Sequence, residues 1–168
     1  MRKDIFISIV LFFLTIFIVG KNLAKPFFGI HDWNGARYGN IARNYVRYGV
    51  FTLKFAQIEN SGVVAAKDYQ YFTHYPSLLP LLISLSYRIF GTNEWATRLV
   101  ALLATAGTIA LIYLIGHTIF DWRVGVGASL LALATPMIRY FGKNPVHEPL
   151  ALFFALISFF GVALLFRK

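Results

Sequence analysis

The sequence contains no cysteine, which excludes a disulfide framework and a thiolate metal site and leaves the redox compartment unmarked. It also lacks an internal repeat, a heptad run and any low-complexity tract. Acids are scarce: 7 Asp and Glu stand against 16 Lys and Arg, for a net charge of +9. Such a balance would suit a nucleic-acid partner, but the basic residues form no single exposed run. They sit at segment ends and in one long loop, where membrane anchors and phosphate contacts belong. No nucleic-acid partner is expected.

What is abundant is apolar surface. The chain is 58% hydrophobic and 17% aromatic, with a mean hydropathy of +0.63. In 168 residues only immersion in a membrane accounts for this much apolar area. The expected fold class is all-α and integral to the membrane: about four transmembrane helices, plus amphipathic juxtamembrane helices in a long first external loop.

Met1-Arg2-Lys3 precedes an apolar run over 5–19, which reads as a signal peptide or a first span. Asn22 and Ala24 make a weak cleavage site. With 20–24 added, the run reaches the roughly 20 residues a crossing needs. It is taken as an uncleaved span over 5–24, N-terminus inside. Further spans are expected at 96–119, 124–141 and 150–166, with Pro136 kinking the third. Gly125 and Ser129 fit a small-residue packing face.

The segment 76–90, PSLLPLLISLSYRIF, is short for a crossing and carries Pro80, Ser84, Ser86 and Arg88. It suits an interfacial or re-entrant helix. With that segment on one side, Met1-Arg2-Lys3, Arg123 and Arg167-Lys168 all fall inside, as the positive-inside bias prefers. The loop over 25–95 is then external, and its part over 50–71 is expected as a flexible loop or short strands. The loop GKNPVHEP over 142–149 returns to the same face, so Asp32 and Glu148 can meet at one membrane surface.

The stretch over 29–49, GIHDWNGARYGNIARNYVRYG, predicts an amphipathic helix. Asp32, Asn34 or Gly35 caps it, and Gly49 stops it. Arg37, Asn40, Asn44 and Arg47 share one face; Tyr38, Ile41, Tyr45 and Tyr48 share the neighbouring one. A basic stripe beside an aromatic one suits a helix lying flat on a bilayer.

These features together resemble a known family. An acid in the first external loop is followed by a helix with IARN-x-x-x-x-G. A later H-Y-P leads an apolar helix, and F-G-x-N-E-W-A-x-R-L opens a span. The pattern, over about 27–160, resembles the polytopic GT-C glycosyltransferases, in particular the protein O-mannosyltransferase and aminoarabinose transferase group. The resemblance implies sugar transfer from a polyprenyl-phosphate carrier to an acceptor at the outer face of the plasma or inner membrane. It implies Asp32 as the general base. Glu148, where relatives commonly have aspartate, would be the second external acid, positioning substrate or supporting the base. Arg37 and Arg43 match basic positions of the surface helix, and His74 with Tyr75 falls on the phosphate side. Thr73 stands where some relatives carry a metal-binding acid, so no metal ligand is assigned and a divalent metal is left open. The implied partners are a lipid-linked sugar donor and membrane lipids. Family members are far longer, so the expected unit is an N-terminal portion completed by further transmembrane segments or a partner chain.

The chemistry is consistent without the family. Glycosyl transfer needs a base for the acceptor proton and cations for the departing phosphate. Arginine's fork suits phosphate oxygens, and a carboxylate at a low-dielectric boundary gains basicity. Taken singly, each residue also has a plainer role. Asp32 serves as a cap, Glu148 as a helix-start acid, and His74 and His147 as interfacial polar groups. Arg37, Arg43 and Arg47 then contact headgroups, and Arg98 with Trp95 forms interfacial anchors. The alternative function is a non-enzymatic membrane protein that binds polyprenyl-phosphate lipid or partners a larger transferase. A transporter fits less well, because the spans hold few polar residues at mid-depth.

Overall fold

A computed structural model describes residues 2–29 and 31–165. Met1 and the Arg167-Lys168 pair, on which the expected orientation partly rests, lie outside the described residues, as does Phe166 at the end of the expected last span. The elements in chain order are α1 (Arg2–Val19), α2 (Trp33–Tyr48), β1 (Gln57–Ile58), β2 (Tyr71–Phe72), α3 (Leu78–Phe90), α4 (Glu94–Ile119), α5 (Trp122–Ala134), α6 (Pro136–Phe141) and α7 (His147–Leu165). They form two compact units. One holds α1, α4 beyond Val100, α5, α6 and α7; the other spans 22–100 with 144–146.

In the first unit, α4 and α7 are long and apolar enough to cross a membrane. The 26 residues of α4 make a rod of about 39 Å. Helix α7 is apolar around its circumference, and Pro149 and Leu150 are its buried residues. A helix that exposes apolar groups on every side calls for lipid as its solvent. Helix α1 stops at Val19, short of the expected segment over 5–24, because 20–24 form a turn with Asn22 at φ 62°.

The expected third segment is divided. Asp121 caps α5 by accepting from the Arg123 N–H at 2.7 Å and the Val124 N–H at 3.0 Å. These two bonds hold its carboxyl below the usual carboxylate range. The helix ends at Ala134, since Thr135 precedes a proline and is extended (ψ 126°), and Pro136 opens α6. Gly125 and Ser129 are buried against α4, as the small-residue pattern suggested. A Cβ at Gly125 would lie 2.6 Å from the Tyr113 carbonyl oxygen, and Ser129 Oγ donates to the Ile109 carbonyl at 3.1 Å.

In the second unit, α2 packs on α3. Tyr38, Ile41, Ala42 and Tyr45 meet Leu79, Ile83 and Tyr87 in a core whose fully buried aliphatic side chains each contribute about 2 kcal/mol. Tyr38, Ile41 and Tyr45 of the aromatic stripe are therefore core and not bilayer contacts, while Tyr48 is half-buried and its hydroxyl accepts from the Val64 N–H at 3.0 Å. Helix α2 starts after Asp32, and Gly49 at φ 87° stops it, its N–H donating to the Tyr45 carbonyl. The loop that follows carries short antiparallel strands, Gln57 opposite Phe72 and Ile58 opposite Tyr71.

Candidate active site

Asp32 is the N-cap residue of α2, yet its side chain does not cap the helix. The carboxylate turns back: Oδ2 accepts from the Gly29 N–H at 2.7 Å, and Oδ1 faces Arg98 Nη2 at 3.4 Å. Arg98 is only 3% exposed, so it is no interfacial anchor. Its Nη1 donates to the Leu23 carbonyl at 2.8 Å and to the Lys25 carbonyl, while its guanidinium lies 4.3 Å from the Phe27 ring centre. A buried guanidinium must find acceptors and a counter-charge. Leu23, Lys25, Phe27 and Asp32 supply both. The Asp32 side chain remains 19% exposed. It is oriented but reachable, as a base requires.

The polar stripe of α2 grips the loop that follows it. Asn40 Nδ2 donates to the Glu59 carbonyl at 2.5 Å and the Asn60 carbonyl at 3.1 Å. Asn44 Nδ2 donates to the Ile58 and Asn60 carbonyls at 2.8 and 2.9 Å. Arg43 Nη2 donates to the Ser61 carbonyl at 2.9 Å, and Arg47 Nη1 to the Gly62 carbonyl at 3.1 Å. The Ile58 carbonyl ends the two-residue strand and the others lie just beyond it, and the stripe provides their donors. The headgroup role weighed for these arginines gives way, in part, to this clamp.

Arg37 pairs through Nε with Glu59 Oε1 at 2.8 Å. Its guanidinium lies 4.9 Å from both the Trp33 and Phe72 ring centres. Phe72 also stacks on the exposed His74, ring centres 6.1 Å apart, and Tyr75 lies 6.1 Å from the same ring. Arg37, His74 and Tyr75 thus share one aromatic platform. Arg37 and Arg43 line an open cleft of about 480 Å³ with Asn40, Glu59, Ser61 and Gln70. Glu148 belongs to the other unit, exposed in the first turn of α7. Among the described residues no three His, Asp or Glu side chains converge to hold a metal ion, and Thr73 adds no carboxylate beside His74.

Arg98 and Glu59 are the residues sequence reasoning missed. The signal for Arg98 was an arginine one turn inside an apolar helix, a costly position that implies a partner. Glu59 gave none; it lies in an aperiodic loop.

A family model described as dolichyl-phosphate-mannose-protein mannosyltransferase matches residues 74–167. The match takes in His74, Tyr75, Arg98 and Glu148, while Asp32, Arg37 and Arg43 precede it. A search of curated proteins and a search of solved structures each found no match. The family model covers more than half of the chain, and the chain belongs to this family, a group of multi-pass membrane glycosyltransferases of the GT-C type.

Proposed function

We propose that the chain moves a sugar from a polyprenyl-phosphate carrier to an acceptor hydroxyl or amine at the outer face of the plasma or inner membrane, with Asp32 as the base. The observation that carries this reading is the setting of Asp32, fixed by the Gly29 N–H and by buried Arg98 yet still open to a ligand. The acceptor proton passes to the Asp32 carboxylate as the acceptor oxygen or nitrogen bonds to the anomeric carbon. The bond from that carbon to the phosphate oxygen breaks, and its electron pair leaves with the carrier phosphate. Arg37 and Arg43 stabilise that phosphate across their open cleft, with His74 and Tyr75 at its side. Glu148 positions the acceptor or supports the base. The carrier's lipid tail lies in the membrane among the apolar helices. Further transmembrane segments or a partner chain complete its groove.

The test uses the chain in membranes with labelled polyprenyl-phosphate sugar. Asp32→Asn should lower transfer by about 10²–10⁴-fold while carrier binding persists. Transfer at the wild-type rate would remove Asp32 from the mechanism. Carrier binding without transfer by the unmodified chain would favour the non-enzymatic alternative.

A further inference from the structure

A second cleft also borders Arg43 and Asn40. It holds about 230 Å³ and is lined by Phe27, Gly35, Gly39, Asn40, Arg43 and Tyr87, closed by 92–94 and Thr97. Two glycines of α2 let the Tyr87 hydroxyl and the Phe27 ring pack close against the helix as parts of the wall. A Cβ at Gly39 would lie 2.7 Å from the Tyr87 hydroxyl, and one at Gly35 would strike the Phe27 ring. Ligand pockets for whole small molecules usually hold about 300–1,000 Å³, so this one takes a single ring-sized group.

The lining carries two charged side chains with hydrogen-bonding capacity left over. Glu94 lies in the first turn of α4, and its carboxylate makes no hydrogen bond or ion pair among the described residues. Arg43 commits Nη2 to Ser61 and Asn40, but its buried Nε has no partner. Both charges bear on the Tyr87 hydroxyl, which is itself satisfied by Thr97 at 2.5 Å. A site with one cation and one anion has little net charge. It favours neither a phosphate nor a cation, whereas a neutral ligand rich in hydroxyls can donate to the carboxylate and accept from the guanidinium at once. Phe27 adds an apolar edge beside them.

We infer that this cleft binds one neutral pyranose ring, with Glu94 accepting from its hydroxyls and Arg43 donating to them. The inference rests on the glycosyl-transfer reading and names the site of the sugar. Arg43 then stands between a cleft suited to phosphate and a cleft suited to sugar.

Methyl α-D-mannopyranoside is the probe, added to the chain in lipid nanodiscs and read by saturation-transfer NMR. Its ring protons should receive saturation from the wild-type chain. Glu94→Gln, which keeps the side chain's shape, should weaken binding at least tenfold, and Thr92→Phe, placing a ring at the exposed lip, should abolish it. The thermal midpoint of each variant shows that the fold persists. Displacement of the glycoside by a polyprenyl-phosphate sugar assigns the cleft to the donor; simultaneous binding assigns it to a sugar-bearing acceptor. Absence of a wild-type signal, or a signal unchanged in both variants, overturns the inference. Neither result depends on transfer, so an active Asp32→Asn variant would remove the proposed base and leave the cleft standing.

Discussion

At the scale of single residues, Arg98 explains most about the site. Its guanidinium is nearly sealed from water, so its charge is compensated only by what the chain brings to it: carbonyls from Leu23 and Lys25, the Phe27 ring and the Asp32 carboxylate. That dependence runs both ways, and makes Arg98 a positioning residue for Asp32. Arg98→Met should release the Leu23 and Lys25 carbonyls and let the Asp32 carboxylate wander by an ångström or so, which in other sites costs about 10²-fold in rate. The expected signature is a fall in kcat with the acceptor KM little changed, and partial recovery in Arg98→Lys. A loss confined to thermal stability, with kcat intact, would reduce Arg98 to a structural brace. In sequence it read as an interfacial anchor, because periodicity shows which face a residue occupies and not which distant segment folds onto it.

At the scale of elements, α2 was well marked. Its glycine stop follows a local rule that acts within a turn, whereas the acid at its start occupies the cap position but spends its side chain on Gly29 and Arg98. The use of its two stripes was not marked. The tyrosines meet α3, and the polar stripe meets carbonyls 14 to 20 positions downstream, partners that no local pattern announces. Asn44 tests that clamp most directly. It is 0% exposed, and its amide serves the Ile58 and Asn60 carbonyls. Asn44→Ala leaves both without this donor, a cost of about 2–3 kcal/mol. Asn44→Asp keeps the shape but has no N–H to give, and should destabilise at least as much. Hydrogen exchange across 57–62 is the measurement, and protection unchanged in both variants would mean that the strand pair alone holds the loop.

At the scale of the whole chain, the proposed chemistry depends on topology, since Asp32 and Glu148 act together only if both face the same side. Helix α3 decides this. At 13 residues it is about 20 Å long, short of a hydrocarbon core of about 30 Å, and its buried face packs on α2. A chain without cysteine is well suited to the test, because any introduced thiol is the sole target of a membrane-impermeant maleimide. Ser61→Cys keeps the backbone carbonyl that Arg43 uses, and Arg123→Cys keeps the N–H that Asp121 caps. In sealed, right-side-out vesicles, Ser61→Cys should label from outside and Arg123→Cys only after permeabilisation. External labelling of both would put α3 across the membrane and send the start of α7 to the inner face. Glu148 would then be separated from Asp32 by the full bilayer, and so would Arg98 at the start of α4, so this outcome would overturn both the pairing of Asp32 with Glu148 and its contact with Arg98.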